Sequence, residues 1–172
     1  MDLAEDLRRA VRAAGEAGAR VRALVVGVGN SARADDGVGP AVVEELRGSG
    51  VKALDAGDAP ERCLGPIAQS GAQVVVFVDA VDFGGKAGEA VLLQAPDLPQ
   101  RSCVTHRSAL SLVMRYIREQ AGQQSLLIGV QPGSTEFGRG MTPRVEAAVK
   151  AIAAAISAAL AARGRGVRQK PA

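Results

Sequence analysis

The stretch AQVVVFVDAV, residues 72–81, constrains the fold more than any other part of the chain. Val74 to Val78 are all β-branched or aromatic, the residue types that suit a strand. Side chains alternate between the two faces of a strand, so a run that is apolar at every position leaves neither face for water. The run is far shorter than the roughly 20 apolar residues that cross a bilayer. It therefore belongs at the centre of a sheet covered on both sides. RALVVGV (22–28) and QSLLIGVQP (124–132) read the same way, and VKALDAG (51–57) and EAVLLQA (89–95) are weaker strands. Helical patterns separate most of them. Strands alternating with helices imply a single three-layer α/β/α domain around a twisted, mostly parallel, mixed five-stranded sheet. The link between 72–81 and 89–95 is too short for a helical crossover. An antiparallel hairpin of those two strands is expected, supplying the one antiparallel strand.

The helices are read from their apolar spacing. Residues 2–18 place Leu3, Leu7, Ala10, Val11 and Ala14 on one face. A second helix is expected from Gly39, with Pro40 at its first position, Val43 and Leu46 inward, and GSG (48–50) as its stop. APERCLGPIAQSG (59–71) reads as a weak helix interrupted at Gly65-Pro66. Thr105 or a neighbour is expected to cap a helix carrying Leu110, Val113, Met114 and Ile117. Thr142-Pro143 opens the last helix, striped by Val145, Val149, Ile152, Ile156 and Leu160. The chain divides into an N-terminal helical extension (1–21), the α/β domain (22–162) and a basic flexible tail (163–172).

Composition removes several classes of function. A net charge of +3 over 172 residues, with much of the positive charge at the two ends of the chain, argues against a nucleic-acid partner. No apolar run is long enough for membrane insertion and no signal peptide is visible, so a cytoplasmic protein is expected. Cys63 and Cys103 stand apart in no metal-ligand spacing and are expected to be reduced thiols. With no coiled-coil pattern or evident apolar surface stripe, a monomer is expected.

Ligands of open α/β sheets collect at the carboxyl ends of the parallel strands. Asn30, Asp35 and Asp36 follow the first strand, Asp55 and Asp58 the second, Asp79 and Asp82 the third, and Gln131 the last. Buried carboxylates are costly unless paired or bound to a cation. The single histidine, His106, falls at the start of a helix, where the macrodipole favours a neutral imidazole able to act as a ligand. One histidine with two carboxylates suits a divalent metal. A dinucleotide reading competes with this one, because Gly27-Val28-Gly29 follows a strand and Asp55 ends the next. It fits poorly: position 32 is alanine, the helix does not open directly after the glycines, and Asp35-Asp36 would repel a pyrophosphate.

Taken together, GVGNSARADDGVGP (27–40), LDAGDAPE (54–61), VVFVDAVDFGGKAGE (75–89), VTHRSAL (104–110) and IGVQPGSTEFGRGMTPRVEAAV (128–149) resemble the maturation endopeptidases of nickel–iron hydrogenases, in that family's order and spacing. The helix before Arg22 lies outside the resemblance, as does the tail. The resemblance implies an enzyme that removes a short C-terminal peptide from the hydrogenase large-subunit precursor after nickel insertion. It implies that Asp36, Asp79 and His106 form the metal-binding and catalytic set, acting on the nickel of the precursor, with no permanently bound cofactor. Gly27, Gly29, Asn30, Asp35, Asp55 and Gln131 are expected to line the substrate cleft. Two alternatives remain open: a nucleotide-binding module on the same sheet, and a non-catalytic chaperone that senses nickel.

Overall fold

The structure is a computed structural model that describes residues 2–14, 21–94 and 107–160. Five strands form one sheet: β1 (Ala23–Gly27), β2 (Ala53–Asp55), β3 (Val74–Ala80), β4 (Ala90–Gln94) and β5 (Gln124–Val130). Their spatial order is β2-β1-β3-β5-β4. The first four in that order are parallel, and β4 runs antiparallel to β5. β3 is buried along its whole length, as its unbroken apolar run requires.

The expected hairpin of β3 with β4 does not form. Both edges of β3 are taken by parallel neighbours, β1 and β5. The nine residues between Ala80 and Ala90 carry the chain past β5 to its outer edge. Strands lie about 4.8 Å apart, so this crossing spans about 10 Å, well within the reach of nine residues. The one antiparallel strand is real, but its partner is β5.

Among the described residues, five helices cover the two faces: α1 (Leu3–Ala13), α2 (Val38–Glu45), α3 (Leu64–Ala68), α4 (Arg107–Ala121) and α5 (Pro143–Leu160). Strand alternation sorts the core. Val25, Val74, Val76, Val78, Leu126 and Ile128 face α1, α2 and α5. Leu24, Val26, Val75, Phe77 and Leu127 face α3 and α4. The α4 residues Leu110, Val113, Met114 and Ile117 are all buried, as are Val145, Val149, Ile152 and Ile156 of α5. The capping expectation at Thr105 lies outside the described residues, as do Cys103 and the tail from 163. Leu7 and Val11 of α1 enter the same core as α2 and α5, so this helix packs onto the sheet domain. Asp2 caps α1 by accepting from the Ala4 and Glu5 backbone N–H groups. No described helix is long and apolar enough to cross a membrane.

Two local readings are corrected. The helix at Pro40 starts earlier: a 3₁₀ turn over Ala34–Gly37 runs into α2 at Val38, so Pro40 is its third residue. Gly65-Pro66 does not interrupt a helix either. They are the second and third residues of α3, where the missing proline N–H has no partner to lose.

Candidate active site

The carboxyl ends of β1 and β3 carry the site. β1 ends at Gly27, and the chain then turns through Gly29 and Asn30 into the 3₁₀ turn that holds Asp35 and Asp36. Glycine is required here by close approach. A Cβ on Gly27 would lie 2.4 Å from the Gly39 carbonyl oxygen, and one on Gly39 2.3 Å from that of Val28. Gly29 has φ +129°, and a Cβ there would meet the Asp36 carbonyl oxygen at 1.8 Å. The glycines that suggested a phosphate cradle instead let the 3₁₀ turn and α2 lie directly on β1. The Gly29 N–H is spent on the Gly57 carbonyl at 2.8 Å.

Asp36 is almost wholly buried, and its Oδ2 accepts from the Asn30 backbone N–H at 2.9 Å. Asp79 is the sixth residue of β3 and is also 3% exposed. It shares strand parity with Phe77 and Val81, which belong to the core packed beneath α4. Its Oδ1 is buried without a hydrogen-bond partner. Burial pushes the Asp79 carboxyl up to about 8, and the negative charge of Asp36 adds to the push, partly opposed by the backbone at Ala80. Two buried carboxyl groups are thus brought together, one of them with an open acceptor.

The other expected site residues are placed as follows. Asp35 is fully enclosed, with both oxygens occupied by the 133–142 loop. Gln131 is buried and uses its amide internally: Oε1 accepts from the Phe83 and Gly85 N–H groups, and Nε2 donates to Asp82. That contact, with the Gly84 N–H, holds the exposed Asp82 carboxyl below its usual range. Asn30 donates from its side chain to Asp58 at 3.3 Å and accepts from the Ala32 N–H. Asp55 caps its own turn by accepting from the Gly57 N–H. His106 lies outside the described residues, which resume at Arg107, the first residue of α4. Among the described residues no three His, Cys, Asp or Glu side chains converge on a metal-holding group.

Cys63 offers no nucleophile. It is half-buried, and burial, with the nearby charges of Asp55 and Glu61, raises its thiol pKa further and keeps it protonated at neutral pH. Sequence reasoning missed Gly133, Ser134 and Thr142, the partners of Asp35, and Gly39. A glycine one residue before a proline inside a helix is the only local sign of Gly39's role.

The family model for hydrogenase maturation protease matches residues 40–159. The chain belongs to the hydrogenase maturation protease family. The hydrogenase 3 maturation protease of Escherichia coli K12 is 30% identical over 130 residues, covering 73% of this chain and 82% of that protein. The crystal structure of a NiFe hydrogenase maturation protease HycI from Thermococcus kodakarensis KOD1 aligns with a TM-score of 0.75 at 34% identity, covering 83% of this chain and 94% of that one. The hydrogenase maturating endopeptidase HybD from E. coli aligns at 0.69 with 30% identity, covering 81% of this chain and 91% of that one. The three-layer fold is the one these maturation proteases share, and the protein is a peptidase.

Proposed function

We propose that this maturation protease removes a C-terminal peptide from the precursor of a nickel–iron hydrogenase large subunit, and that Asp36, Asp79 and His106 engage the nickel the precursor already carries. One observation carries the reading: a buried Asp79 oxygen without a partner, beside the buried Asp36 carboxylate, at the carboxyl edge of the sheet. An unpartnered buried carboxyl costs stability in the isolated protein, and a divalent cation delivered by the substrate would relieve it. The nickel then serves as a recognition element that docks the scissile bond. His106 joins the set on the strength of the family resemblance and its position just before α4.

Water is the nucleophile in this reading. Its oxygen attacks the scissile carbonyl carbon. Asp36, or Asp79 once the substrate's cation has displaced its proton, takes the water's proton, and the leaving amine is protonated as the C–N bond breaks. A Cys–His pair is not needed, and the protonated Cys63 thiol does not supply one. A nucleotide-binding role finds no support in the turn, whose glycines are accounted for by packing.

The test is intact-mass spectrometry of a nickel-loaded precursor. Wild-type protein is expected to shorten it. Asp36→Ala, Asp79→Ala and His106→Ala are each expected to slow the cleavage by roughly 10² to 10⁴. Cleavage at the wild-type rate in all three variants would overturn the proposal.

A further inference from the structure

We infer that Asp35 is a positioning residue that fixes the Asp36 carboxylate by clamping the 133–142 loop onto the turn that bears it. The inference rests on the reading of Asp36 given above. Asp35 is fully buried, and its carboxylate is turned onto the 133–142 loop. Its Oδ2 accepts from the Gly133 N–H at 2.7 Å, the Ser134 N–H at 3.0 Å and the Thr142 hydroxyl at 2.9 Å. Its Oδ1 accepts from the Thr142 N–H at 2.6 Å. A carboxylate has about four acceptor sites, two on each oxygen, and four donors from this loop converge on the pair.

The clamp works in both directions. The Asp35 N–H donates to the Ser134 carbonyl at 3.0 Å, and the Ala34 N–H to the Arg139 carbonyl at 3.2 Å. Further along the loop, the Gly138 N–H donates to the Ala32 carbonyl at 2.8 Å. Ala34 sits at φ +46°, a conformation that a residue with a Cβ adopts only where its surroundings impose it. Two residues further on is Asp36, whose side chain is oriented by the Asn30 N–H. Loop, strained turn and carboxylate are therefore one hydrogen-bonded unit with Asp35 at its hub. A neutral amide in place of Asp35 keeps the shape but turns one acceptor oxygen into a donor that faces other donors.

Two readouts test this, one of them independent of cleavage. In Asp35→Asn the Asn30 amide proton, which reports the Asp36 contact, is expected to exchange at least about tenfold faster, while the Val76 amide in the central strand is unchanged. In cleavage of the nickel-loaded precursor, kcat is expected to fall about tenfold to a hundredfold with little change in KM. Thr142→Val, which deletes one of the four bonds, is expected to move both readouts in the same direction by less. Undisturbed Asn30 exchange in both variants would overturn the positioning role. So would a loss of activity confined to KM. If Asp36→Asn cleaves at the wild-type rate, the reading of the site fails, and the Asn30 exchange still decides whether Asp35 fixes that carboxylate.

Discussion

At position 79 a carboxyl group keeps its proton to about pH 8 instead of the usual 3.8, because burial and the neighbouring Asp36 both disfavour its charge. Between those two values the folded protein binds more protons than the unfolded chain. Stability therefore falls as pH rises through that window, by up to about 1.4 kcal/mol per pH unit from this group. Asp79→Asn removes the titration. The melting temperature of the variant, relative to wild type, is expected to climb between pH 4 and pH 8 and then level off, as followed by circular dichroism. A gap that does not change with pH would contradict this account of Asp79. That residue was legible in the sequence, because an acid inside so apolar a strand has no cheap structural explanation. The role of Asp35 was not. Its partners are 98 to 107 residues away in the chain, and no local pattern reveals them.

Elements meet at this site through missing side chains. Gly39 brings the first turn of α2 against the backbone of both β1 and β3, where a Cβ would lie 2.5 Å from the Val78 carbonyl oxygen. Gly39→Ala is expected to cost roughly 3 kcal/mol by overpacking, measured as a shift of the urea unfolding midpoint. Gly48→Ala is the comparison for backbone strain without a clash, since its φ is +78° and open space surrounds it. Its cost should be about 1 kcal/mol. Equal losses in the two variants would mean that close approach is not what position 39 requires. Strand and helix identities followed from apolar spacing, which reports how many faces of an element are covered. Pairing did not, because β4 satisfies the same local pattern beside β3 or beside β5. Only the occupation of both β3 edges decides between them.

Across the whole molecule, three helices share one core on one side of the sheet, and α1 is one of them. The amphipathic face of α1 was legible, but the surface it docks on was not, since nothing in residues 2–18 encodes contact with α5. Leu7 is fully buried, so Leu7→Ala is expected to cost roughly 2 to 5 kcal/mol and to lower the melting temperature of the entire domain in one transition. An unchanged melting temperature would mean that α1 contributes nothing to the core. The central claim is the proposal that a metal carried by the substrate engages the two buried carboxyl groups, Asp36 and Asp79, at the sheet edge. Its most direct test compares cleavage of one precursor with and without nickel, reading the released C-terminal peptide by mass spectrometry. The account predicts release from the nickel-loaded precursor alone, and equal release from the nickel-free precursor would contradict it.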